Sequence, residues 1–258
     1  NLMKVALLYA QNFDGLVLSF PKNNKIAGEG IANEGINSTK LGLKGIPALA
    51  EHIQIARDIF LLEYTGGKLH IPTISSAKSV ELIKDAKKKG LKVTCSVAAH
   101  HLVLTDNELH GFDSNFKTNP PLRTKDDIKV LQKGVKSGVI DIITSDHNPI
   151  DIEHKKVEFS EAKDGVIGLE TVFGALNSVL DLEDFINCIT TKPKEIFGIE
   201  NHSIKEGNIA DVTLFDPNSD VTFTKEHILS TSKNSPFINK KLKGNVYGIF
   251  ANNQLILK

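Results

Sequence analysis

Short β-branched runs alternate with helix-period segments through the middle of this chain, and that rhythm limits the folds open to it more than any other feature. Leu16–Phe20 reads as a buried strand, and Pro47–Leu62 follows as a helix with Leu49, Ile53, Ala56 and Phe60 at helical spacing. Lys68–Ile74 is the next strand. Ala77–Lys89 then carries Val80, Ile83 and Ala86 on one face and stops at Gly90. Lys92–Val97 is a third strand. Thr124 with Asp127 is a capping-box variant that opens a helix over Lys125–Ser137, where Ile128, Leu131 and Val135 form the stripe. Ile140–Thr144, with Ile140, Ile142 and Ile143, suits a strand covered on both faces, and helices are expected near Leu169–Leu180 and Leu182–Phe197. Four βα units in a row predict an α/β fold with a parallel sheet and right-handed crossovers.

From Ser203 the rhythm changes. Asp211–Phe215, Val246–Ala251 and Gln254–Leu257 read as strands, with turn signals at Asp216-Pro217-Asn218 and Asn252-Asn253. The expected division is therefore an α/β part over residues 1–202 and a small β-rich appendage over 203–258. Four units do not close a (β/α)₈ barrel. The sheet is either doubly wound or one half of such a barrel.

The 258 residues carry 31 basic and 31 acidic side chains, so no net charge favours phosphate, and nucleic acid is not an expected partner. Apolar runs such as Leu16–Phe20 are too short to span a bilayer, so no membrane partner is expected. Asn1–Phe20 lacks the basic-then-apolar order of a secretory leader, and Cys95 and Cys188 make no disulfide framework. A reducing cytoplasm is the expected compartment.

Chemistry concentrates where the predicted strands end. Asp146-His147 closes the fourth strand, the position where barrel enzymes keep catalytic groups. His100-His101 follows the third, but neighbours on a strand point to opposite faces and do not readily chelate one ion. His70 reads as a lone core histidine. His52, His110, His154, His202 and His227 show no HxH or HxxxH spacing, and no phosphate-binding glycine loop is present. Lys117, Asn119 and Arg123, in a loop stiffened by Pro120-Pro121, suit either a small anion or a rigid connector with solvated charges.

Several stretches resemble a known family. Asn115-Phe-Lys-Thr-Asn-Pro-Pro-Leu-Arg123, Gly138-Val-Ile-Asp-Ile-Ile-Thr-Ser-Asp-His-Asn-Pro149 and Gly165-Val-Ile-Gly-Leu-Glu170 resemble the long-form dihydroorotases of the amidohydrolase superfamily. Gly42–Glu51, Ile55–Asp58, Gly207–Val212 and Ser232–Phe237 fit the same pattern in order. The resemblance implies a (β/α)₈ TIM-type barrel with a small β-sandwich, the four strands here being barrel strands five to eight. Strands one to four, with the family's His-x-His metal motif and bridging acidic or carbamylated ligand, would then precede Asn1. It also implies a role in pyrimidine biosynthesis, with Asp146 as the strand-eight catalytic acid and Asn119 in the substrate-binding loop.

The departures from that pattern matter more. Active members carry a metal-binding His at the end of strand five, where Phe20 stands in Ser19-Phe20-Pro21-Lys22. They carry another in a His-x-x-His-Val-Ser pattern after strand six. Here His70-Ile71-Pro72-Thr73-Ile74-Ser75 matches, with Thr73 at the ligand position. Ile150 replaces a substrate-binding His, and Lys163-Asp164 replaces the usual Pro-Phe before Gly165. Phenylalanine has no lone pair for a metal, and a threonine hydroxyl is a poor ligand beside imidazole. Zinc lowers the pKa of bound water from about 15.7 to about 7, worth about 12 kcal/mol. A general base such as Asp146 supplies only about 3–5 kcal/mol. The expectation is a degenerate, non-catalytic dihydroorotase homologue with no metal, a homo-oligomer that serves as structural or regulatory partner of aspartate transcarbamoylase. The alternative is an active cyclic amidohydrolase with a single zinc held by Asp146 and the His-x-His.

Overall fold

The computed structural model describes residues 2–200 and 203–257. Helix α1 (Leu2–Ala10) leads into β1 (Leu16–Leu18), followed by α2 (Asn24–Ala27), β2 (Ala32–Asn33), α3 (Ile36–Leu41) and β3 (Gly45–Ile46). The repeating part continues with α4 (Leu49–Thr65), β4 (Lys68–Ile71), α5 (Ala77–Lys88), β5 (Val93–Ala98), α6 (Lys125–Lys136) and β6 (Ile142–Thr144). Four short helices come next: α7 (Ile152–Lys155), α8 (Val172–Asn177), α9 (Leu182–Ile189) and α10 (Thr191–Phe197). The last elements are β7 (Val212–Thr222), β8 (Lys241–Ala251) and β9 (Gln254–Leu257).

β1, β4, β5 and β6 lie side by side in that order, every pair parallel, with Leu16 opposite Lys68, Leu69 opposite Val93 and Ser96 opposite Ile142. This is the expected run of βα units. Side chains alternate across the sheet. Leu69, Ile71, Cys95, Val97 and Ile143 pack against Ile55, Ile83 and Leu131 of the covering helices in one core. His70, Thr94 and Ser96 point the other way. His70 donates or accepts at Nδ1 with Thr94 Oγ1 (2.8 Å), and its ring lies 5.7 Å from that of Phe197. It is a buried, satisfied histidine, as the sequence implies.

The Thr124–Asp127 capping box forms as read: Thr124 Oγ1 accepts from the Asp127 amide and donates to its carboxylate. Asp127 Oδ1 also accepts from the Ala77 amide (2.9 Å), tying α6 to the start of α5. One predicted helix splits. Leu182–Phe197 breaks at Thr190, because Pro193 has no N–H to offer the Ile189 carbonyl. The predicted turn at Asp216-Pro217-Asn218 also differs. β7 runs through it, absorbing the proline as a register shift between Asp216 and Asp220 on an edge strand.

β7, β8 and β9 form an antiparallel sheet, and Leu242 of β8 packs with Ala175, Phe223 and Phe237 against the parallel part. The expected boundary at 202/203 falls on His202, outside the described residues. Cys95 and Cys188 are both buried and free.

The largest departure concerns α4. Leu49, Ile53 and Phe60, whose helical spacing marks the helix in the sequence, face solvent. The buried side carries Glu51, Gln54 and Asp58 beside Ile55, Ile59 and Leu62.

Candidate active site

The carboxyl ends of the four parallel strands supply Phe20, Thr73, His100 and Asp146. β1 ends in a tight turn where the Lys22 amide donates to the Phe20 carbonyl (2.9 Å), leaving the Phe20 ring 41% exposed. Ser19 Oγ donates to Asp58 Oδ2 (2.6 Å), anchoring that strand end to α4. Thr73, just past β4, sits at φ 53°, a left-handed conformation that a β-branched residue rarely adopts. Its amide donates to Ser96 Oγ on β5 (3.1 Å), which holds the backbone there.

Asp146 follows β6, also left-handed (φ 46°) and half-buried. Burial raises its carboxyl pKa above the ordinary range. The loop around it is fixed from below: His147 Nδ1 accepts from the Gly168 and Leu169 amides (both 3.3 Å). Gly168 is required there, since a Cβ would sit 2.2 Å from the Ser145 carbonyl oxygen.

His100 and His101 lie on a 3₁₀ turn over Ala99–Leu102 rather than on the strand itself, so their rings meet at 4.4 Å instead of diverging. Burial pushes both imidazoles down, His101 to about 4, so both are neutral. His101 Nε2 pairs with the Pro120 carbonyl (3.1 Å). His100 Nε2 is buried with no hydrogen-bond partner among the described residues and lies 3.8 Å from Asp146 Oδ2. No spacing along the chain signals this pairing.

Lys117 and Arg123 fit neither reading of the loop, a small-anion site or a connector with solvated charges, because both cations are buried and already engaged. Lys117 Nζ donates to the carbonyls of Phe159, Ser160 and Ala162 (2.7–2.9 Å). Arg123 lies among Glu51, Ser75 Oγ and Asn33 Oδ1. Of the three, only Asn119 remains part-exposed, its Oδ1 accepting from Lys22 Nζ (3.2 Å). Lys22 therefore joins Asn119 at the rim, a contact spanning 97 residues that spacing cannot reveal.

Ile150 lines a cleft of about 590 Å³ together with Ile152, Lys156, Lys225 and Lys233. Asn234, from the Ser232–Phe237 stretch, shapes that wall. Its Oδ1 accepts from the Ile150 amide, and its Nδ2 donates to the Asn148 and Gly165 carbonyls. Asp164 is exposed beside it.

As a donor set for a metal, these strand ends offer one carboxylate and one imidazole. Phe20 and Thr73 add no strong ligand atom. Among the described residues no three His, Cys, Asp or Glu side chains gather where an ion could be held. The residues present do not fit a catalytic metal on their own. What they can do is hold or release a proton at Asp146 and present an amide and an ammonium at the rim.

Residues 28–256 match the model of the amidohydrolase family. The chain belongs to the amidohydrolase family. Members of this family are typically metal-dependent. Among curated proteins the chain is 43% identical over 249 residues to the dihydroorotase of Trichlorobacter lovleyi, covering 95% of this chain and 59% of that protein. It is 43% identical over 251 residues to the dihydroorotase of Endomicrobium trichonymphae, covering 95% and 60%. The chain thus spans about three-fifths of the length of these relatives. Among solved structures, the L-hydantoinase (dihydropyrimidinase) of Arthrobacter aurescens superposes with a TM-score of 0.88 at 21% identity, over 99% of this chain and 60% of that one. The dihydropyrimidinase of Brevibacillus agri gives 0.85 at 23% identity, over 99% and 59%. These likenesses establish the amidohydrolase fold: a parallel α/β barrel portion with a β appendage.

Proposed function

We propose that this chain belongs to a dihydroorotase-like protein of pyrimidine biosynthesis that has lost metal-assisted ring hydrolysis and serves as a structural or regulatory partner. Residues 1–202 supply the barrel portion and 203–258 the appendage. The observation that carries the reading is Phe20 and Thr73 at two strand ends, with a benzyl ring and a hydroxyl where the resemblance calls for imidazoles. Without a bound cation, nothing here lowers the pKa of water by the roughly nine units that hydrolysis at neutral pH draws on. Asp146 as a general base supplies a minor share of that.

Aspartate transcarbamoylase is the partner class this reading names, in a cytoplasmic assembly in which the protein also self-associates. The whole protein, supplied with zinc, is expected to leave dihydroorotate intact and to co-purify with a transcarbamoylase. Steady opening of the ring to carbamoyl-aspartate contradicts the reading.

One observation favours a second reading. Asp146 keeps a half-buried carboxyl with a raised pKa, on a left-handed backbone braced by Gly168. An active cyclic amidohydrolase would combine it with Asn119 at the substrate and with zinc ligands lying outside this chain. The same turnover assay decides between the two, and loss of turnover in Asp146→Asn would assign the residue.

A further inference from the structure

The cleft beside Ile150 concentrates positive charge in a chain that has none in excess. Lys155, Lys156, Lys225 and Lys233 line it against Asp113 and Asp151, an excess of two ammoniums, while the whole sequence balances 31 basic with 31 acidic side chains. None of Phe20, Thr73, His100 or Asp146 lines it, so it is a cavity separate from the strand ends. Its volume, about 590 Å³, is that of a small-molecule site.

The four lysines divide by what they touch. Lys155 is buried, and its Nζ donates to the carbonyls of Ser114, Lys163 and Gly165 (2.6–3.0 Å), which fills all three of its donor positions. Burial pushes it down to about 8, so at neutral pH it remains an ammonium in the wall. Lys233 donates to the Ile228 and Ser230 carbonyls (2.8 and 2.9 Å) and keeps one N–H free. Lys156 and Lys225 are exposed, and their ammoniums donate to nothing among the described residues. The two acids do not neutralise them. Asp151 is engaged by His154 Nδ1 (2.7 Å), and Asp113 by the Asn115 amide (2.9 Å). Like charges left unpaired around one hollow repel each other until an anion joins them.

The rest of the lining narrows the class of anion. Ile150, Ile152 and Ile238 give the cleft an apolar floor, and Asn234 and Lys155 brace it through the Ile150 amide and the Gly165 carbonyl. A carboxylate is matched best by the guanidinium fork, but the chain's two arginines are elsewhere, Arg57 on Asp58 and Arg123 on Glu51. Lysine point charges, with the unengaged hydroxyls of Thr231 and Ser232 beside them, suit a phosphate.

We propose that this cleft binds a phosphorylated small organic molecule, with its phosphate on Lys156, Lys225 and Lys233 and its carbon skeleton on Ile150, Ile152 and Ile238. The proposal stands whether or not the protein hydrolyses a ring.

Calorimetric titration of the whole protein with phenyl phosphate tests it, with inorganic phosphate and benzoate as controls. Phenyl phosphate is expected to bind at least about 10-fold more tightly than either control, because it alone offers both the phosphate and an apolar body. Lys156→Glu combined with Lys225→Glu, at exposed positions, is expected to weaken binding at least about 10-fold with circular dichroism unchanged. Lys84→Glu, on an exposed face of α5 outside the cleft, should leave it unaltered. A second arm uses the unsubstituted protein: phenyl phosphate should protect Lys156 and Lys225, and not Lys84, from acetylation read by mass spectrometry. No heat up to about 10 mM phenyl phosphate, benzoate binding equally well, affinity indifferent to the double variant, or no selective protection would each overturn the proposal.

Discussion

Thr73 holds a left-handed backbone at a strand end, a conformation worth about 1–2 kcal/mol of strain in a residue with a branched Cβ. Asn tolerates that region better. Thr73→Asn is therefore expected to raise the unfolding free energy by about 0.5–1 kcal/mol, measured by urea denaturation. A loss of stability would show that the hydroxyl, and not the backbone, matters there. The histidines set a second expectation at this scale. Burial lowers His70 and His101 to about 4, against about 6.5 for an unfolded imidazole. As pH falls through 6.5 the unfolded chain takes up protons that the folded one refuses until about pH 4. Their contribution to stability is thus complete above 6.5 and declines between 6.5 and 4. Moving from pH 7.5 to 5.0 should remove about 1–2 kcal/mol for each, and an unchanged urea midpoint would contradict this.

Elements are joined beneath the site by one buried ion pair. The Glu51 carboxyl is pushed up by burial, but the Arg123 guanidinium and the hydroxyls of Ser75 and Ser79 more than offset this and hold it below the ordinary carboxylate range. The pair links α4, the β4–α5 turn and the loop that carries Asn119. Arg123→Met strands a buried carboxylate and should cost about 3–5 kcal/mol, while Arg123→Met with Glu51→Gln should recover part of it. Equal losses in the single and double variants would contradict the coupling. This network also explains how α4 misleads a sequence reading. Helical period identifies a face but not which way it points, and here the buried face mixes Ala50, Ile55, Ile59 and Leu62 with Glu51, Gln54 and Asp58, whose carboxylates Arg123, Ser19 and Ser75 satisfy. Lys117 and Arg123 mislead for the same reason: a loop cation looks available until the carbonyls and carboxylates that consume it are known. Strands read more reliably. Lys68–Ile74 and Lys92–Val97 were expected and Lys68–Ile71 and Val93–Ala98 form, since fully covered parallel strands advertise themselves as apolar runs.

At the scale of the whole molecule, four βα units and a terminal antiparallel sheet were legible, because each unit carries its own local signals. The pairing of His100 with Asp146, and of Lys22 with Asn119, was not, because such contacts are created by the barrel geometry. The proposed function requires that these strand ends hold no catalytic zinc. Its most direct test is the zinc content of the whole protein, purified in zinc-supplemented buffer, dialysed and measured by mass spectrometry of the metal. On the proposed function, less than about 0.1 zinc per chain is expected, since Phe20 and Thr73 then stand at two of the positions where the resemblance calls for metal ligands. A stoichiometric zinc that disappears in Asp146→Asn would contradict the account.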